Sequence, residues 1–144
     1  WSSDVCSSDL KGRPFTCLVY TNISEIPHLT DLISALPKVQ FKIASRQHVS
    51  DKLAQLITYP NVTVYSDIAG LNGLDLELVR TSDLLLDINP GRKVVEILDA
   101  FRFENKPILG FEDLKSTKHN QQTYSRDRWK EMAETIRQMR KKSL

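Results

Sequence analysis

Residues 82–111 read as one continuous βαβ unit, and this constrains the fold more than any other feature. The segment starts Ser82-Asp83-Leu84-Leu85-Leu86-Asp87-Ile88-Asn89-Pro90-Gly91. It continues through an amphipathic stretch with Val94, Ile97, Leu98 and Phe101 at helical spacing, then Asn105-Lys106-Pro107-Ile108-Leu109-Gly110-Phe111. A continuous apolar run, a polar turn, a helical period and a second apolar run describe two buried parallel strands joined by a crossover helix. In open sheets of this kind ligands bind at the carboxyl ends of the strands.

The same alternation fills the rest of the chain. Strands are predicted at Phe15 to Tyr20, Val39 to Ala44, Val62 to Tyr65, Leu84 to Ile88 and Ile108 to Phe111. Ile26, Leu29, Leu32, Ile33 and Leu36 mark a helix after the first strand. Leu53, Leu56 and Ile57 mark a second, capped by Ser50 and stopped by Pro60. Leu74, Leu78 and Val79 mark a third. Trp129, Met132, Ala133, Ile136 and Met139 line one face of a C-terminal helix. Glu112 to Tyr124 is polar and aperiodic and reads as a loop. The expected fold is therefore α/β, a doubly wound, Rossmann-like parallel sheet of five strands in order 3-2-1-4-5, closed by a C-terminal helix.

Trp1 to Leu10 lies outside this pattern. It is rich in Ser and Asp, has no period, and resembles the translation of a sequencing adapter. It is read as a cloning or assembly scar. Residues 11–144 form one domain with no internal repeat or linker, and the remainder of the protein is expected upstream. Composition is that of an ordinary globular domain, 40% hydrophobic and 26% charged. A net charge of +2 gives no signature of nucleic-acid binding. No segment has the length and apolarity of a membrane span, and a cytoplasmic location is expected. The basic cluster Arg137, Arg140, Lys141 and Lys142 reads as a solvated helix end favoured by the helix dipole. The two cysteines, Cys6 and Cys17, imply neither a disulfide framework nor a metal site. Asn22-Ile23-Ser24 and Asn61-Val62-Thr63 match the glycosylation sequon without a secretory signal to give it weight.

If strand order reverses between strands one and four, Thr21 and Asn22 face Asn89, Gly91 and Arg92 across a crevice. Ser45, Arg46, Asp67, Glu112 and Asp113 leave the other strands on the same edge. Gly91 permits close approach of a ligand to backbone. Asn89 suits a helix cap and Pro90 the first turn. Free N–H groups at that helix start would favour a phosphate. Asn22, Arg46, Asn89, Gly91, Arg92 and Glu112 are accordingly the candidate ligand-binding residues. Glu96, one turn on, either faces the crevice or pairs with Lys93 or Arg92. There is no G-x-G-x-x-G, Walker loop or nucleophile elbow. Thr21 and Asn22 stand where a phospho-receiver needs acids. His28, His48 and His119 lack metal-ligand spacing.

The order of elements, Leu32-Ile33 through Leu36-Pro37 before strand two, Tyr59-Pro60-Asn61-Val62-Thr63 before strand three, and Ser82 to Asn89 resemble the C-terminal Rossmann-like half of GT-B glycosyltransferases. Asp87-Ile88-Asn89, then Gly91, Val94, Lys106-Pro107-Ile108-Leu109 and the Thr117 to Asn120 segment are most similar to bacterial glycosyltransferase-like proteins of the accessory secretion locus. That group includes the stabilising, acceptor-binding subunit that works with a catalytic partner on surface adhesins. The resemblance implies a nucleotide-sugar donor as substrate, no separate cofactor and no metal. It also implies a missing N-terminal half, a catalytic glycosyltransferase partner and an acceptor polypeptide. The segment alone is expected to be inactive.

Within the resemblance Glu96 matches the second of two glutamates common in retaining enzymes, and the first falls at Ile88. The paired Arg and Lys that meet donor phosphates have no counterpart in Tyr20 to Ile26, leaving Arg46 or Arg92 to substitute. The loop after strand five is short, and the glycine-rich turn common there is missing. Because neutralising the leaving diphosphate is a main electrostatic task of such transfer, the sequence favours a non-catalytic or weakly catalytic stabilising subunit of surface-protein O-glycosylation. An active nucleotide-sugar-dependent glycosyltransferase and a stand-alone small-molecule-binding domain are the alternatives.

Overall fold

The structure is a computed structural model that describes residues 14–21, 26–70, 73–90, 95–114 and 122–143. The Trp1 to Leu10 segment lies outside them. Strands β1 (Thr16–Tyr20), β2 (Gln40–Ala44), β3 (Val62–Tyr65), β4 (Leu84–Asp87), β5 (Ile108–Phe111) and β6 (Gln122–Tyr124) form one sheet. Their order is β3-β2-β1-β4-β5-β6, and every pairing is parallel. The helices are α1 (Leu29–Ala35), α2 (Asp51–Ala54), α3 (Leu74–Arg80), α4 (Val95–Phe103) and α5 (Trp129–Ser143).

Alternate residues of the strands feed two cores. Cys17, Val19, Phe41, Ile43, Leu84, Leu86, Leu109 and Phe111 pack on one face against Leu32 and Ile33 of α1 and Met132, Ala133 and Ile136 of α5. Leu18, Tyr20, Leu85 and Ile108 face the other way, onto Leu78 and Val79 of α3 and Ile97, Leu98 and Phe101 of α4. The period of two along buried strands thus produces a sheet covered on both faces. Cys17 is free and fully buried. Burial, with Asp83 nearby, pushes its thiol pKa up.

The expected doubly wound sheet is present, with two corrections. Glu112 to Tyr124 is not simply a loop: it starts with a 3-10 turn at Glu112–Leu114 and ends in β6. Among the described residues the strands number six, not five, because Gln122, Thr123 and Tyr124 pair with Leu109, Gly110 and Phe111. Three residues are too few to show a period, and β6 exists because the edge of β5 supplies unpaired backbone groups. The second helix is also shorter than its apolar pattern suggests. Ser50 caps it by accepting from Leu53 N–H at 3.2 Å, but α2 ends at Ala54 and gives way to a 3-10 turn at Gln55–Thr58. Ile57 consequently points outward, 61% exposed.

The link from α1 to β2 is held from inside. Asn61, 7% exposed, aims its amide at three carbonyls, those of Leu36 and Val39 at 3.0 Å and Ile33 at 3.4 Å. A side chain so occupied is unsuited to carry a glycan in the folded protein, and the Asn61 sequon is structural.

Candidate functional site

The order β2-β1-β4 places the switch point between β1 and β4. Thr21 directly follows β1, and Asn89 follows β4 after the single intervening residue Ile88. Both are buried, at 2% exposure, and Thr21 Oγ1 donates to Asn89 Oδ1 at 3.1 Å. The crevice floor is therefore a polar contact between two strands that are distant in sequence. Asn89 spends this oxygen across the switch point. Asn22, Gly91 and Arg92 lie outside the described residues, as does His119. Whether Asn89 also starts the helix after it falls outside them too.

Arg46, one residue beyond Ser45 at the exit of β2, lies in a three-member cluster. The Tyr20 hydroxyl donates to Asp75 Oδ1 at 2.7 Å, Arg46 Nε donates to the same hydroxyl at 3.2 Å, and Arg46 Nη2 donates to Asp75 Oδ2 at 3.1 Å. Burial, and then the bond to Asp75, push the Tyr20 pKa up, with Arg46 pulling the other way. The Tyr20 hydroxyl, followed by Asp75, raises the Arg46 pKa. Asp75 occupies the first turn of α3, where a carboxylate suits the helix dipole. The preceding Gly73 has φ of 84°, a left-handed conformation that glycine takes without strain. Tyr20 and Asp75 were missed as site residues in the sequence. One reads as the end of a buried strand and the other as a solvated helix residue.

The remaining candidates stand apart. Glu96 is exposed in the first turn of α4, and its possible partners Arg92 and Lys93 are outside the described residues. Glu112 and Asp113 are exposed beyond β5, and Asp113 pairs with Arg126 at 2.8 Å. Ser45 is buried and accepts from Gln47 N–H at 3.1 Å. Asp67 carries φ of 58° and pairs with His48 at 2.9 Å. His28, with φ of 60°, stacks on Trp129 at 5.6 Å and meets Phe111 edge-on at 6.0 Å. Its Nδ1 lies 2.9 Å from Asp31 Oδ2. This packing offsets the cost of a left-handed non-glycine residue and ties the start of α1 to the start of α5. Among the described residues no group of three His, Cys, Asp or Glu side chains could hold a metal ion.

The fold is shared with proteins of known class. The sequence profile of the GftB/GlyA-F C-terminal domain family matches residues 17–144. The chain belongs to this family. It is 48% identical over 129 residues to Glycosyltransferase GlyA of Streptococcus pneumoniae, covering 90% of this chain and 18% of that protein. It is 34% identical over 102 residues to the UDP-N-acetylglucosamine--peptide N-acetylglucosaminyltransferase stabilizing protein GtfB of Streptococcus gordonii, covering 71% of this chain and 22% of that one. The crystal structure of the GtfA/B complex bound to UDP and GlcNAc superposes with a TM-score of 0.75 at 28% identity, over 86% of this chain and 28% of that one. The chain thus spans about a fifth of the length of these curated relatives. As a GftB/GlyA-F C-terminal domain it is a Rossmann-like unit of the GT-B kind, related to bacterial glycosyltransferases. Among the described residues no helix is long and apolar enough to cross a membrane.

Proposed function

We propose that this domain is the C-terminal half of a glycosyltransferase-like protein of bacterial surface-protein O-glycosylation, and that it serves there as a stabilising, non-catalytic or weakly catalytic subunit. It works in the cytoplasm beside a catalytic partner and an acceptor polypeptide. The observation that carries this reading is the state of Arg46. It is the described cation nearest the role of a donor-phosphate ligand, and its guanidinium is engaged by Asp75 and Tyr20. An anion arriving there must compete with a carboxylate already in place, which weakens its capture.

The second reading is an active nucleotide-sugar-dependent transferase, with Glu96 and the residues around Asn89 at the donor. The 48% identity to GlyA, a named glycosyltransferase, favours it. Amide NMR on this chain, titrated with UDP and UDP-GlcNAc, tests the first reading. Shifts at Thr21, Arg46 and Asn89 should be small and unsaturated at millimolar nucleotide. Saturation at micromolar nucleotide, or sugar transfer from a nucleotide sugar by the full-length protein without a partner, would establish the second.

A further inference from the structure

The opposite end of the domain carries a pocket that this reading leaves unused. It lies at the amino ends of the strands, between the α1–β2 link and the last turns of α5, and encloses about 220 Å³. Ala35, Leu36, Pro37 and Val39 give it a largely apolar surface. Lys38, Arg137, Arg140 and Lys141 complete the lining.

This wall is fixed in place. Asn61 holds the carbonyls of Leu36 and Val39 from the interior. Arg137 Nη2 donates to the Ala35 carbonyl at 3.0 Å from the outside. The cations on the rim are unequally used. Arg137 pairs with Glu134 at 2.9 Å, and Lys141 also acts on that carboxylate. Lys38 and Arg140 meet no carboxylate within ion-pair distance among the described residues. Cations at a helix C-terminus are favoured by its dipole, but the dipole does not require an apolar concavity beneath them.

We propose that this pocket is a docking site for an acidic polypeptide segment that inserts an apolar side chain among the carboxylates it carries. Charge complementarity sets the sign of the partner, because Lys38 and Arg140, with no carboxylate partner among the described residues, line the same pocket as the apolar side chains. Size sets its form. The volume falls below the roughly 300–1,000 Å³ of sites for drug-sized ligands and suits one or two side chains. A concave, pinned floor distinguishes this from adsorption to a flat anionic membrane, which needs only a basic surface. The site lies at the far end of the sheet from the crevice, so it is independent of the donor chemistry.

The test uses this chain and a fluorescein-labelled peptide, Glu-Glu-Leu-Phe-Asp-Glu, read by anisotropy. A peptide with Ala-Ala for Leu-Phe is measured beside it. The double variant Lys38→Glu/Arg140→Glu should weaken binding at least about tenfold, as loss and reversal of rim charge demands. Ala35→Leu, which fills the pocket, should weaken it by a similar factor with all charges kept, and so should the Ala-Ala peptide. Arg102→Glu, an exposed charge change on α4, should leave binding intact, and thermal melts show which variants are folded. If the peptide does not bind, or if Ala35→Leu and the Ala-Ala peptide bind as well as their parents, the proposal fails and the cations are a solvated helix end. Charge-dependent binding to phosphatidylglycerol vesicles with no binding of the peptide would also overturn it, in favour of a membrane surface.

Discussion

The two ends of the sheet differ in what their best-placed polar side chains hold. At the carboxyl end, the side chains around the switch point bind one another: Thr21 meets Asn89, and Arg46 meets Tyr20 and Asp75. At the amino end, the side chains that pin the chain bind backbone. Asn61 and Arg137 secure carbonyls of the α1–β2 link, and Asp83 Oδ2 accepts from Thr16 N–H at 2.8 Å. Side chains bonded to side chains can exchange partners for a ligand. Side chains bonded to main chain hold the framework. The amino end should therefore dominate stability, and the carboxyl end should tolerate substitution with altered binding.

The largest expected effect tests the rigid end. Asn61→Ala removes the side-chain donor from the buried Val39 carbonyl and the second donor from those of Ile33 and Leu36, and should lower unfolding free energy by about 2 kcal/mol, seen as a lower urea midpoint with an unchanged m-value. A loss below about 1 kcal/mol would erase the distinction between the ends. Thr21→Val removes one buried hydroxyl bond at the switch point. It should cost about 1 kcal/mol by the same measurement.

Asp75→Asn should be milder still for stability, below about 1 kcal/mol for a partly exposed ion pair. Its informative readout is binding. With the carboxylate charge removed, Arg46 should capture UDP several-fold more tightly, in proportion to the strength of the competing pair. Unchanged nucleotide affinity would mean that Arg46 does not face the ligand.

The smallest effect concerns His48. Its pair with Asp67 raises the imidazole pKa above the ordinary value of 6.5, first through the hydrogen bond and then through charge. The folded pKa is raised, so the contribution to stability is complete below about 6.5 and disappears as pH rises through the folded value. Proton NMR should give a His48 pKa that falls on Asp67→Asn, while the melting temperature hardly changes for so exposed a pair.

Much of the framework was legible because it depends on local pattern. Leu84 to Leu86 and Ile108 to Phe111 can only be buried strands when a helical period separates them. The stripe of Met132, Ala133 and Ile136 gave the face that α5 buries. β6 was not legible, since nothing in Gln122, Thr123 and Tyr124 distinguishes a strand from a polar loop until β5 lies alongside. The helix expected through Ile57 failed for a related reason: three apolar residues fitted the spacing, but the chain turned before the last could be buried. The site was legible only as a set of loop residues on one edge. Thr21 and Asn89 were on it, but that they bond across 68 positions is a property of topology. Tyr20 and Asp75 are joined in the same way across 55. Their chemistry is unremarkable in isolation, and it is the crossover of α3 that brings them to Arg46.

The central position of β1 also bears on biosynthesis. Emerging before the other strands of its sheet, β1 can pair with β2 as soon as residue 44 is free. Its other edge stays bare until β4 appears about forty residues later, when Cys17 and Leu18 find Leu84 and Leu85. Meanwhile β1, β2 and β3 form a nascent half-sheet with an open, strongly apolar margin, the kind of intermediate that invites mispairing with neighbouring chains. The segment β4-α4-β5 thus closes the open edge of β1 only after the first half-sheet has emerged. A stalled or truncated product ending before it would be a substrate for chaperones and not a smaller version of the domain.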